Sequence, residues 1–459
     1  LLIRIKTLLA VVFCHASGYH LHEASNIRSG SLLICQGRNY QYKASVLPRN
    51  ETSRYGKMSE GRLSEFLQEI SQDLDRSVRF WMDNSHDQEN GGFFNCLGEK
   101  GEVYDDLKHV WLQGRQVWTY CRLYNECERF RTSEILQAAI RGGEFLMKHA
   151  KVYSSSQKCA LVLTRDGKPI KVQRTVFSEC FYVMGMSELS RATGEKQYRD
   201  EALTMMDQIV HWVMEDNTEL RFGTPSLSGQ VPVSSLAIPM MLLCLIDQLE
   251  TSVPDLGEKY SYVSEWSLKY ALMHVQRDGT VILENVSPDG KELSGSVGRL
   301  MLPGHSIEAG WFLLQYARKK GIEDLKKTAI EKFILNPFSY GWDKEYGGLL
   351  YFLDVDGYSP TQLEWDMKLW WAHNEAMIAF LIAYQETKDT SFLDKFANVF
   401  DYSYAKFVDK ENGEWYGYLN REGTVSLRFK GGPWKGCFHV ERCLLMCENI
   451  LKNLIQNKV

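Results

Sequence analysis

Residues Gly347–Gly357 read GGLLYFLDVDG and residues Gly413–Gly423 read GEWYGYLNREG. Each is an aromatic-rich, strand-forming run that ends on a turn pair, Asp356–Gly357 or Glu422–Gly423. A glycine turn between such runs is a strong hairpin signal. The same unit stands at Gly91–Gly101 (GGFFNCLGEKG), around Asp166–Gly167 (ALVLTRDGKPIKV) and in DGTVILENVSPDG, which turns at Asp289–Gly290. A sixth, degenerate copy is RFGTPSLSGQVPVSS, ahead of the apolar run AIPMMLLCLIDQL. Long stretches with apolar residues at three- and four-residue spacing separate the hairpins, among them SEILQAAIRGGEFLMKHA and FLDKFANVFDYSYAKF. Strand signals never gather into one block, which argues against a parallel sheet. About six repeats of hairpin and paired helices imply an all-α (α/α)6 barrel, a toroid of inner and outer helices with short β-hairpins on one rim.

Counting from each turn glycine to the polar residue that opens the next helix gives a regular interval. Gly101 precedes Arg115 by 14 residues and Gly167 precedes Glu179 by 12. Gly290 precedes His305 by 15, Gly357 precedes His373 by 16, and Gly423 precedes His439 by 16. Arranged around one axis, these five side chains are expected to converge at the rim, where barrels collect their sites.

The residue types suggest proton transfer. Glu308 follows His305 by one helical turn in PGHSIEAGW, and Arg442 follows His439 likewise in KGCFHVERC. A carboxylate beside His305 would raise its basicity, and a guanidinium beside His439 would lower its pKa or hold a substrate oxygen. Such a pair can serve as acid and base at neutral pH. Arg115 could steady an oxyanion, with a structural pairing to Asp105, Asp106 or Glu179 as the alternative. Trp371, with Trp365, Trp370 and Trp434, is a candidate for stacking on a sugar. Asp105–Asp106 is a poor hydrolytic pair, because adjacent residues on a regular element point apart.

Composition narrows the field. The chain of 459 residues is 44% hydrophobic, 24% charged and 12% aromatic, with a net charge of −5. That is an ordinary globular balance, and the scattered basic residues leave no footprint for nucleic acid. No apolar run reaches the ~20 residues of a membrane span. The 11 cysteines, several of them inside apolar helical runs, read as reduced thiols of a cytoplasmic protein, and none has zinc spacing, so no metal is expected. No GxGxxG, GxxxxGK[ST] or GxSxG element occurs. Residues 1–57 stand apart: LLAVVFC after Arg4 and Lys6 has a signal-peptide flavour, and a polar, patternless stretch follows. They are read as a disordered or non-native extension, with one barrel domain over residues 58–459.

HDQENGGFFNCLG, YDDLKHVWLQGRQVW, FSECFY, LPGHSIEAGWFLL, PTQLEWDMKLWWAHNEAMIAFL and KGGPWKGCFHVERC together resemble the N-acylglucosamine 2-epimerase family, its animal branch in particular. The resemblance runs from about Met58 to near the C-terminus. It implies the (α/α)6 barrel, with His305 and His439 as the catalytic pair. Arg115, Glu308 and His373 would line the pocket, with Glu179 at a position where related sugar isomerases carry a histidine. The implied reaction interconverts N-acetylglucosamine and N-acetylmannosamine by proton exchange at C2 of the open-chain sugar, His439 acting as base toward the manno product. No redox cofactor is required; ATP or another nucleotide would be an activator, and the partners a second subunit in a homodimer and renin. A leucine zipper through Leu242, Leu249, Leu256 and Val263 is disfavoured by Pro254. Competing readings are an aldose–ketose isomerase or glycoside epimerase on the same barrel, a glycoside hydrolase using Glu308, Glu375 or Glu179, and a non-catalytic renin-binding protein.

Overall fold

A computed structural model describes residues 60–221 and 228–456, so the expectation for residues 1–57 and the core of the sixth repeat lie outside the described residues. The fold is an (α/α)6 barrel. Its inner helices are α2 (Val110–Glu126), α4 (Phe177–Thr193), α6 (Ala237–Ser252), α8 (Pro303–Lys320), α11 (Trp370–Thr387) and α13 (His439–Gln456). Each packs on the next around the ring, and α13 closes it against α2. The outer layer consists of α1 (Glu60–Asn84), α3 (Ser133–His149), α5 (Lys196–Met214), α7 (Ser261–Leu272), the bent run of α9 (Glu323–Thr328) through α10 (Asn336–Gly341), and α12 (Ser391–Lys406).

Sequence decides which layer a helix joins. In α11 every residue from Trp370 to Tyr384 is buried, as an inner helix covered on all sides requires. In α3 the buried residues Ile135, Ala138, Ala139, Gly142 and Leu146 form one stripe, facing inward. Helix ends are marked as expected: Pro303 starts α8, and the left-handed glycines Gly194 and Gly321 stop α4 and α8. Leu242, Leu249 and Val263 are buried in the barrel wall, so no zipper face is available.

The hairpins lie where the inner helices begin. Gly101, Gly167, Gly290 and Gly423 turn between paired segments, all at positive φ. The fourth predicted hairpin differs, because Leu353–Asp354 pairs instead with Leu300–Met301, just before α8. This is the general device of the rim. The residues entering one inner helix pair with the next unit's hairpin: Lys108–His109 with Val162–Leu163, and Lys368–Leu369 with Tyr418–Leu419. The ring closes the same way through backbone bonds between Leu97 and Lys430–Gly431.

Three lysines with no exposed side-chain surface lock this rim. Lys108, Lys368 and Lys430 donate to Asp87, Asp343 and Asp409 at 2.9, 3.1 and 2.9 Å. Each aspartate lies just beyond an outer helix and also accepts the backbone N–H two residues on. A buried ion pair of this kind ties outer-helix ends to inner-helix starts, and removing either partner would strand a charge.

The closest helix approach is α2 on α4, where a Cβ on Gly114 would fall 2.3 Å from the Phe181 carbonyl oxygen, a backbone atom that cannot swing aside. At Gly143 the close atom is only the end of the Leu189 side chain. Gly114→Ala is therefore expected to cost about 1–3 kcal/mol by overpacking. Gly143→Ala should be neutral or stabilising, because alanine gains up to about 1 kcal/mol of helix propensity. Thermal melts of the two variants check the order; equal melting temperatures would contradict it.

Candidate active site

Four inner-helix N-termini supply one polar cluster. From α8 come His305 and Glu308, from α13 His439 and Arg442, from α2 Trp111 and Arg115, and from α11 Trp371 and Glu375. Within each pair the spacing is three or four residues, so one helical face delivers both side chains. Trp371 stands between the histidines, its ring 5.3 Å from His305 and 5.9 Å from His439. They do not open onto separate surfaces.

Glu375 is the hub. Its carboxylate accepts from His439 Nδ1 at 2.8 Å, Arg442 Nη2 at 2.6 Å and Trp311 Nε1 at 2.9 Å. Arg442 Nη2 also donates to Glu308 at 2.7 Å. With Nδ1–H committed to Glu375, a neutral His439 presents Nε2 as a bare acceptor. Burial, reinforced by the positive charges of Arg115 and Arg442, pushes its pKa well below the usual histidine value. His439 is thus a base in its free form.

His305 has the opposite setting. Burial alone would lower its pKa, but the surrounding carboxylates together raise it, Glu284 most of all, both of whose oxygens lie 3.3 Å from Nδ1. The raised proton affinity suits His305 to act as the acid. Glu284, from the VILEN run, makes the direct contact, and the charges of Glu308, as expected from the sequence, and of Glu375 add to it. Sequence reasoning missed Glu284, which sits at a bend directly after the buried run Val281–Ile282–Leu283.

Arg115 packs against Trp111, Phe181 and Phe438 at 4.6, 4.1 and 4.7 Å. Its side chain pairs with no carboxylate among the described residues, and its Nε is buried without a partner, as is the indole N–H of Trp111. Burial pushes the guanidinium down to about 9. A cation held by ring faces and left without an anion is a donor available to a ligand oxygen. Exposed Trp434 stands edge-on to Trp111 at 5.5 Å.

Two expected pocket residues are placed elsewhere. His373 has both ring nitrogens occupied by backbone, Nδ1 donating to Leu369 O and Nε2 accepting from Leu349 N–H, and it stacks on Tyr402. Burial takes it down to about 3, so it is a neutral structural residue. Glu179 is bound to Lys158 and to the Cys159 N–H, at 2.8 and 2.6 Å, behind the α4 start. Both departures have one cause. A similar interval from a turn glycine, 12 to 16 residues here, does not fix helical phase, and one residue of slippage rotates a side chain by roughly 100°.

Glu308, Glu375 and His439 bring ligand atoms within 4.8 Å of one another, the spacing a metal ion could use. Arg442 already stands between the two carboxylates with a full positive charge. A cation there would have to displace it, so the donor set fits a guanidinium better than a metal.

The model of the N-acylglucosamine 2-epimerase family matches residues 92–227 and 276–443. The chain is 58% identical to the N-acylglucosamine 2-epimerase of Mus musculus over 394 residues, covering 86% of this chain and 94% of that protein. It is 57% identical to the Homo sapiens protein of the same name over 393 residues, covering 86% and 92%. A solved structure of the cellobiose 2-epimerase of Bacillus thermoamylovorans superposes with a TM-score of 0.71 at 21% identity, covering 84% of this chain and 99% of that one, a likeness of fold.

The Glu284 contact generates a measurable pH effect. The carboxylate favours protonated His305, so removing its charge must let the proton go at lower pH. In Glu284→Gln, the His305 titration followed by NMR of labelled histidine should move down by about one to three pH units. An unmoved titration would remove Glu284 from this role.

Proposed function

The chain belongs to the N-acylglucosamine 2-epimerase family, and on that footing we infer that its cluster interconverts N-acetylglucosamine and N-acetylmannosamine by two-histidine proton exchange at C2. The carrying observation is that His305 and His439 flank one tryptophan with opposite proton affinities.

The chemistry dictates the rest. The acylated nitrogen can neither leave nor form an imine, so C2 inverts only by losing its hydrogen. That hydrogen is acidic only beside the C1 carbonyl of the open-chain sugar. Neutral His439 takes it through Nε2, and Glu375 stabilises the imidazolium that results. The electron pair moves onto the C1 oxygen, giving an enolate that keeps the acylamino group on C2. Arg115, the donor lacking an anion of its own, is suited to hold that oxygen. Protonated His305 returns a proton to C2 on the opposite face. In the reverse direction the two histidines exchange roles. Proton transfer between side chains supplies the whole reaction; ATP enters this reading only as an activator, tested by running the same assay with and without it.

The experiment is turnover of N-acetylmannosamine in heavy water. Deuterium at C2 of the N-acetylglucosamine formed is expected, and a ketose product would establish the isomerase reading in its place. His305→Asn and His439→Asn should each reduce kcat by about 10²–10⁴-fold with folding intact, the range for a general acid or base. A loss below about tenfold in both would overturn the assignment.

A further inference from the structure

A partly open cavity of about 220 Å³ lies away from the histidines, between the C-terminal halves of α2, α6 and α8 and the second turn of α13. Trp118, Trp311, Phe312 and Tyr316 give it an aromatic wall. Every cation on its lining is already matched. Arg122 pairs with Glu126 and Glu188, Lys319 with Asp247 and Glu250, and Arg442 with Glu308 and Glu375. Two lining polar side chains, the Gln315 amide and the Ser264 hydroxyl, have no hydrogen-bond partner among the described residues.

These facts select a ligand chemistry. An ion entering a site whose charges are matched would be buried without a counter-charge. A free sugar would bring more hydroxyls than two open partners can satisfy, and each one left over is costly. A flat, mostly apolar ring with one polar edge satisfies both conditions. The volume is smaller than that of drug-sized pockets, so one or two fused rings fit.

We propose that this cavity is a second ligand site, taking a small neutral heteroaromatic molecule whose ring packs on the aromatic wall and whose amide-like edge bonds Gln315, and that its occupancy is felt at His439. Two lining residues, Trp311 and Arg442, are the other donors to Glu375, the carboxylate that holds His439. A ligand in contact with them alters the bonds that set the orientation and basicity of His439. The coupling rests on the epimerase reading; the binding site does not.

The test is calorimetric titration of the full chain with indole-3-carboxamide and with nicotinamide, in the presence of saturating N-acetylmannosamine. One saturable site is expected, with a Kd of about 1 mM or tighter for indole-3-carboxamide. Turnover at saturating substrate should change about fivefold or more. Gln315→Leu should weaken binding by about fivefold or more while leaving turnover without ligand unchanged. His439→Asn should bind the compound still, which separates this site from the catalytic one. The proposal is overturned if neither compound binds saturably, if Gln315→Leu binds as the parent does, or if N-acetylmannosamine competes the compound away. Unchanged turnover at full occupancy would overturn the coupling to His439. Binding that persists in a chain failing the heavy-water assay would leave the cavity standing and remove only the catalytic reading.

Discussion

Charge balance on the barrel axis is the constraint from which the rest of the site follows. Glu284, Glu308 and Glu375 face Arg115, Arg442 and protonated His305. Burial, and then the positive charges of Arg115 and Arg442, favour neutral His439, and protonating it as well would put an excess charge where little water can answer it. When His439 takes a proton from carbon, the electron pair left on the substrate supplies the matching negative charge. The cluster is therefore balanced both before and after the step, and no ion has to enter or leave. Arg115 completes the scheme, because its attraction to Glu308 is through space and its hydrogen bonds stay open.

The architecture was legible because it is periodic. Turn glycines at Gly101, Gly167, Gly290 and Gly423 and the apolar spacing between them specify units of hairpin and helix pair, and a unit that cannot bury its own face must stack on copies of itself. The pairing of the hairpins was not legible. Leu353–Asp354 joins Leu300–Met301 rather than a strand beyond Gly357, since the register of two-residue strands is set by which neighbouring unit lies alongside. Nor do buried lysines announce themselves: Lys108, Lys368 and Lys430 read as surface residues until DQENGG, DKEYGG and DKENGE are aligned and Asp87, Asp343 and Asp409 emerge as repeated partners.

In the site, the structure brings together the residues that one helix start carries, whereas contacts that depend on tertiary pairing could not be read. His305, His439, Arg115 and Arg442 follow from helix-start motifs and three-residue spacing. Glu308 was found and its charge does favour protonated His305, but its hydrogen bond to Arg442, which arrives from α13, could not be read from proximity in sequence. Glu284 reaches His305 from a different element, 21 residues upstream, and only its place at the end of the apolar run Val281–Leu283 hints at it.

His373 shows why a repeat fold yields an asymmetric site. The inner helices enter the rim alike, but each presents whichever residues its own phase turns inward. In α11 the inward face carries Trp371 and, four residues on, Glu375, so that unit supplies a stacking ring and a carboxylate while His373 turns outward to Tyr402 and the Leu349 N–H. Had α11 been rotated by two residues, a third imidazole would have faced the axis, and neither Arg442 nor His439 would have found its acceptor. The carboxylate is what the site needs there. An uncharged imidazole in its place would leave Arg442 with Glu308 alone and His439 with no partner to stabilise its protonated form. Phase within one helix, more than the count of histidines, decides that proton transfer is possible at all.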